Sequence, residues 1–168
     1  MLIIRTFLAF DETSSQTSQN RVAAVLLGGA VPSNLVGTED STFYVHYSQL
    51  ATVEANWDLP TLGRYDVGAN VFSFVAAKTG DVVRSLTSPS LSQTLLDASY
   101  PGTFNSEKVV PIPVPNTSLV VNGRPVLPAI VTTWGSAAFQ ACTVYNGSLG
   151  VPSAANPPIL PSGCKSTS

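Results

Sequence analysis

Leu8-Ala9-Phe10-Asp11-Glu12 is the stretch on which the fold turns, an apolar run that ends abruptly in two adjacent acids. Ile3, Ile4, Phe7, Leu8 and Phe10 set β-formers on both sides of an extended chain, which predicts a strand buried on both faces. Such strands in α/β sheets carry their chemistry at the carboxyl edge, and Asp11 and Glu12 lie there. Two neighbouring carboxylates in a half-desolvated crevice repel each other unless a cation or a shared proton lies between them, and a hard divalent metal relieves that repulsion. The same two acids also suit a plain strand end, opening a solvated loop with Asx-type turns through Thr13-Ser14-Ser15-Gln16. On these residues alone both readings stand.

Outward from this stretch, Arg21-Val22-Ala23-Ala24-Val25-Leu26-Leu27-Gly28-Gly29 predicts a second buried strand stopped by two glycines. Residues 30–40 are rich in Gly, Pro, Asn and Ser and read as a loop that brings Glu39 and Asp40 towards the next element. Phe43, His46, Leu50, Val53 and Trp57 then recur at spacings of three and four, the stripe of an amphipathic helix. Ser48 is the expected N-cap, Glu54 and Asp58 are expected to face solvent, Trp57 to join the core, and Pro60 to end the run. A second helix is expected over residues 70–77, capped by Gly80. A short helix around Leu91 to Leu96 and an extended edge at Pro111, Pro113 and Pro115 follow. Asn122-Gly123 between Leu119-Val120-Val121 and Arg124-Pro125-Val126-Leu127 predicts a hairpin.

With 168 residues, of which 44% are apolar, the chain can bury the core of one domain. Charged residues make up 11%, the net charge is -2 and the pI is about 5.1. That excludes the basic footprint of a nucleic-acid binder. No apolar run approaches the roughly twenty residues that cross a bilayer, and Arg5-Thr6 interrupts the first apolar segment too early for a signal peptide, so residues 1–10 read as structure. Sparse basic residues and two glycosylation triplets, Asn116-Thr117-Ser118 and Asn146-Gly147-Ser148, point to an extracellular protein. Cys142 and Cys164 are too few for a closed zinc site; they suit either a disulfide closing a C-terminal loop or two free thiols.

Taken together, Phe10-Asp11-Glu12, Leu26-Leu27-Gly28-Gly29-Ala30-Val31-Pro32, Phe43-Tyr44 with His46-Tyr47-Ser48, Val53-Glu54-Ala55-Asn56-Trp57-Asp58-Leu59-Pro60 and Asn122-Gly123-Arg124-Pro125-Val126-Leu127-Pro128 resemble the C-terminal part of fungal secreted acid phosphatases. That phosphoesterase family also contains bacterial phospholipases C and is related to the alkaline phosphatases. The resemblance implies an α/β fold, the C-terminal portion of an alkaline-phosphatase-like core with a central, mostly parallel sheet flanked by helices. Residues 1–140 would be the incomplete phosphoesterase domain and 141–168 a Pro/Ser-rich tail. It implies hydrolysis of phosphate monoesters with a divalent metal ion held by Asp11 and Glu12, in a secreted or cell-wall location. Phospholipase C-like phosphodiester cleavage and a non-catalytic wall domain are the alternatives.

His46 is the only histidine. Its pattern alone suits a packed imidazole with one ring nitrogen bonded to backbone; the resemblance to the Asp-His-Thr-Ser block of the phospholipase branch adds a catalytic reading in which it faces the phosphate. Two departures from the family qualify the implied site. The stretch after the acids lacks a second histidine, and the nucleophile and remaining metal ligands belong to a region with no counterpart in this chain. The chain therefore reads as a fragment or degenerate copy, expected to be inactive by itself.

Overall fold

The apolar run before the acids forms β1, Thr6–Ala9, and the run before Gly28 forms β2, Ala24–Leu27. They pair antiparallel, Thr6 opposite Leu27 and Leu8 opposite Val25, and the Phe10 N–H donates to Ala23 O at 3.2 Å to extend the ladder. The structure, a computed structural model, describes residues 6–12, 21–85 and 114–136. Because side chains alternate across a strand, Leu8, Phe10, Val25 and Leu27 share one face of the ribbon, and Phe7, Ala9, Ala24 and Leu26 the other. Phe7 stacks on Phe72 with ring centroids 5.5 Å apart. The opposite face is open: Leu8 is 60% and Phe10 63% exposed.

This corrects the expected strand geometry. The two runs are neighbours in an antiparallel ribbon, covered on one face only, rather than parallel strands covered on both. Among the described residues the sheets are this ribbon and a second antiparallel pair, β3 at Val120–Val121 and β4 at Arg124–Pro125. Among the described residues parallel pairing is seen at one bridge, Thr61 with Val126. The described residues are therefore mixed α/β, without a central parallel sheet among them.

Helix α1, Tyr47–Trp57, forms where the 3.6-residue period predicts it, with the opposite face inward. Its buried residues are Ser48, Ala51, Thr52, Glu54 and Ala55, whereas Leu50, Val53 and Trp57 are exposed. Small side chains at i, i+3, i+4 and i+7 let α1 approach α3, Ser73–Thr79, closely, and Ala51, Ala55, Ala69, Val71, Val75 and Ala76 form one cluster. Ser48 is not the N-cap. It lies inside the helix, and its Oγ accepts the Val45 N–H at 3.1 Å, tying down the entering chain. The helix ends at Asp58 in the left-handed region, φ 51°, a conformation that a short polar side chain tolerates.

The second predicted helix is α3, which starts at Ser73 and ends on Gly80 at φ 77°, whose N–H donates to Ala76 O. Between them α2, Tyr65–Gly68, seats Tyr65 and Val67 against Leu119 and Val121. The predicted hairpin turns at Asn122 and Gly123, with φ 47° and 83°, the both-positive combination of a type I′ turn. After β4 comes α4, Pro128–Trp134, with proline in its first turn. The helix expected at 91–96, most of the proline-rich edge, the second glycosylation triplet, both cysteines and the tail lie outside the described residues.

Gly63 sits at φ 74°, and its carbonyl accepts the Asn116 N–H at 2.9 Å. A Cβ there would meet Asn116 O at 3.0 Å and Val126 at 3.1 Å, whereas one at Gly37, φ 76°, would meet nothing within 4 Å. Gly37→Ala is therefore expected to cost about 1 kcal/mol for its backbone alone, and Gly63→Ala about 2 kcal/mol or more. Thermal unfolding of the two variants separates these contributions at about 2–4 °C per kcal/mol. Equal shifts would mean that the Gly63–Asn116 contact yields freely.

Candidate active site

Asp11 and Glu12 leave the end of β1 into solvent, and both are exposed. Asp11 Oδ1 accepts the Glu12 N–H at 3.0 Å, a local bond that fixes one carboxylate and leaves the other oxygens outward. His46, also exposed and immediately before α1, places Nε2 3.3 Å from Phe10 O. A carbonyl only accepts, so the contact makes Nε2 the protonated nitrogen and leaves Nδ1 as the acceptor. The histidine has a backbone contact but is exposed rather than packed as its pattern suggests, and that contact carries it to the residue preceding the acid pair. Two carboxylates are oxygen donors of the right kind for a hard cation, though only part of the six to eight oxygens that calcium takes, for example. Among the described residues no three His, Cys, Asp or Glu side chains converge on a point that would hold a metal.

The ribbon's position is set by Phe72. Its ring stacks on Phe7 and meets Tyr44 edge-on at 5.1 Å, and its N–H donates to Thr52 Oγ1 at 3.0 Å. Tyr44 OH donates to Asp40 Oδ2 at 2.6 Å and accepts the Ser73 N–H at 2.8 Å. Ser73 Oγ also donates to Asp40. Partial burial pushes the Asp40 carboxyl up, but the donors from Ser73, Tyr44 and Thr42 outweigh it and hold the group at about 2. The loop from residue 30 brings Asp40 not to the next helix, α1, but to the start of α3, where its bond from Ser73 anchors that helix.

A second polar centre escaped the sequence reading. Glu54 is 4% exposed, on the inner face of α1, and lines a cavity of about 390 Å³ with Thr61, Asp66, Asp81, Arg84 and Arg124. Burial pushes its carboxyl up to about 8, the neighbouring Asp66 adds to the rise and Arg124 opposes it. Asp66 is occupied elsewhere, accepting the N–H groups of Leu62 at 2.7 Å and Arg64 at 3.0 Å. Arg124 pairs with Asp81 through both terminal nitrogens. Asp81 is raised by burial, yet its bonds from Arg124 and Thr79 bring it below the ordinary carboxylate range. Glu54 Oε1, Thr61 Oγ1 and Arg124 Nε make no hydrogen bond among the described residues. The readable signal was the stripe Ser48, Ala51, Thr52 and Ala55. A face of small residues packs helices closely, and Glu54 lies on its border.

The chain is similar to several fungal acid phosphatases. It is 45% identical over 129 residues to a probable acid phosphatase of Kluyveromyces lactis, a match that takes in 76% of this chain and 29% of that protein. With an acid phosphatase of Aspergillus niger it shares 56% identity over 75 residues, 45% of this chain and 18% of the relative. With a phosphate-repressible acid phosphatase of Penicillium chrysogenum it shares 46% over 100 residues, 60% and 24% of the respective lengths. No protein-family model matches the chain, and no solved structure does. The comparisons thus agree with the resemblance carried by the sequence blocks: the chain is similar to these fungal acid phosphatases over a segment that makes up less than a third of their length.

Proposed function

We propose that the chain forms part of a hydrolase that cleaves phosphate monoesters under acid conditions. The observation that carries this reading is the 45–56% identity to proteins named acid phosphatase. The names give no support to phosphodiester cleavage or to a non-catalytic wall domain. In this reading the ribbon belongs to an alkaline-phosphatase-like core whose remaining layers come from the rest of the polypeptide. Extracellular placement, suggested by the sparse basic residues and the glycosylation triplets, belongs to the same proposal.

Asp11 and Glu12 would hold a divalent cation, with further oxygens from outside the described residues. Such an ion, when bound, supplies Lewis-acid stabilisation of charge on the phosphoryl oxygens. What this chain's own residues do is to position and to move a proton. The Glu12 N–H holds the Asp11 carboxylate in place. With Nε2 bonded to Phe10 O, His46 keeps Nδ1 available to take up a proton, or to donate it to a phosphate oxygen in the imidazolium form.

The pH behaviour of the fold suits acid operation. In the unfolded chain Glu54 ionises near its ordinary 4.5, while the folded carboxyl holds its proton to about 8. Between those values the folded state binds the proton that the unfolded chain releases, so this contribution to stability is full below 4.5 and is lost as pH rises through 8. Asp40 acts with the opposite sign. Held at about 2 against an ordinary 3.8, it contributes above 3.8 and loses that contribution only as pH falls through 2. Both contributions are therefore present at about pH 4 to 4.5.

Two measurements test these assignments. In a chimaera with this segment in place of the matching part of the Kluyveromyces lactis relative, Asp11→Asn and Glu12→Gln should each lower kcat for p-nitrophenyl phosphate by about 100-fold or more. Their thermal midpoints without added cation should stay level or rise, because the charge repulsion is relieved. Near-normal turnover in both variants would remove the metal assignment. For the chain itself, Glu54→Gln should match the parent near pH 4 and exceed it in thermal stability near pH 8. A difference between the two that does not change with pH would show Glu54 to be ionised in the fold.

A further inference from the structure

The cavity of about 390 Å³ bounded by α1, α2 and the β3–β4 hairpin takes no part in the phosphatase reading. Its volume lies in the range of small-molecule sites and is many times the roughly 30 Å³ share of one water in the liquid. Ala51, Val67, Val71 and Val121 give it apolar walls. Set among them are Glu54, Thr61 and Arg124, which are 4%, 1% and 5% exposed. Among the described residues Glu54 Oε1, Thr61 Oγ1 and Arg124 Nε have no hydrogen-bond partner. A buried polar atom without a partner is costly, and here three of them, from α1, the Thr61 bridge and β4, line one space. The chemistry of these atoms limits what satisfies them. Arg124 Nε only donates, so its partner must accept, whereas the Thr61 hydroxyl and the Glu54 carboxyl, protonated below about 8, can do either. The remaining charges on the walls balance, Arg84 and Arg124 against Asp66 and Asp81. Asp66 is held by the Leu62 and Arg64 N–H groups and Asp81 by Arg124. A charged ligand would bring an unbalanced charge out of water. A neutral molecule with adjacent hydroxyls brings none, and its C–H surface suits the apolar walls.

We propose that this cavity binds a small neutral polyhydroxy compound, a linear polyol or a single sugar ring, through Glu54, Thr61 and Arg124. The site is separate from the acid pair and stands or falls independently of the phosphatase reading. Two other occupants compete with such a ligand. The chain's own residues 86–113 and 137–168 carry many serine and threonine hydroxyls, which offer the same hydrogen-bonding chemistry. A segment entering the cavity has to cross its lip, however, where Val82 and Val120 are exposed; a molecule small enough to enter whole leaves them so. Water satisfies the three polar atoms but gains nothing from the apolar walls. A polyol uses both, which is the combination of apolar lining and a few convergent polar groups that marks a small-molecule site.

The test is an NMR titration of the full 168-residue chain with glycerol and, separately, with glucose, at about pH 5, where Glu54 is protonated. The expected result is a saturable shift of the Arg124 Nε–H and Thr61 amide signals with at least one of them, and nuclear Overhauser contacts from the bound compound to the Val71 and Val121 methyls. Binding of glycerol alone assigns the site to linear polyols, and binding of glucose alone to a sugar ring. Lactate, close to glycerol in size but charged, should bind about tenfold more weakly or worse. Thr61→Val removes the hydroxyl while keeping the backbone bonds of residue 61 with Pro125 and Leu127, and should weaken binding about tenfold or more. The Overhauser contacts in the unsubstituted chain decide the matter if that variant fails to fold. No saturable shift with either compound would leave the cavity to water and overturn the proposal. Overhauser contacts from residues 86–113 or 137–168 to Thr61 or Arg124 would overturn it in favour of the chain's own side chains. Lactate binding as tightly as the neutral compounds would overturn the neutral class, and an affinity unchanged in both Thr61→Val and Glu54→Leu would place the binding elsewhere.

Discussion

Phe72 makes three contacts at once, and the geometry of the acid pair depends on them. Its ring holds Phe7 of the ribbon on one side and Tyr44 on another, while its N–H is fixed by Thr52 of α1. Each aromatic contact adds about 0.5–1.5 kcal/mol beyond the area it buries, and together they are the side-chain anchor that fixes β1 against the helices. Two residues earlier, Asn70, 1% exposed, spends its amide on Phe43 O, Arg84 O and the Arg84 N–H. One short extended link between α2 and α3 therefore binds the strand ribbon, the loop before α1 and the chain leaving α3. Where Asp11, Glu12 and His46 lie follows from that link.

The core built around it is made of small residues. The fully buried apolar positions are alanines, valines and Tyr65, while Ser48, Thr52, Thr61, Asp66, Asn70, Arg124 and Glu54 are buried beside them. A core of this kind gains less from transfer out of water than one of leucine and phenylalanine, and it relies on satisfied polar bonds for a unique arrangement. Thr52 shows how: its hydroxyl donates to Ser48 O at 2.6 Å and accepts the Phe72 N–H, joining α1 to the link. Glu54 lacks this cover, and its proton affinity is the consequence. The polar centre that steadies α2, α3 and the hairpin also makes their stability depend on pH.

Local chemistry was legible in the sequence wherever a residue type has one conformational use. Gly80 ends α3 and Asn122-Gly123 turns the hairpin because left-handed backbone favours those residues. The acid pair was legible as a strand end, and His46 as a residue with a backbone partner. What misled was hydrophobic size. Leu50, Val53 and Trp57 mark a helix face correctly by period, yet the face that packs within this chain is the stripe of Ser48, Ala51, Thr52 and Ala55. Period identifies the element; which of its faces turns inward depends on what the chain itself can place there.

The strand error and the helix error share this cause. Leu8 and Phe10, like Leu50 and Trp57, are large apolar side chains that the pattern assigns to an interior, and the chain leaves all four exposed. Single exposed apolar residues are ordinary on any protein. A ribbon face carrying four of them in register is different, because register is set by which side chains must be buried, and here the pairing of Leu8 with Val25 serves no burial within the described residues. The ribbon's register is held instead from its other face, where Phe7 stacks on Phe72.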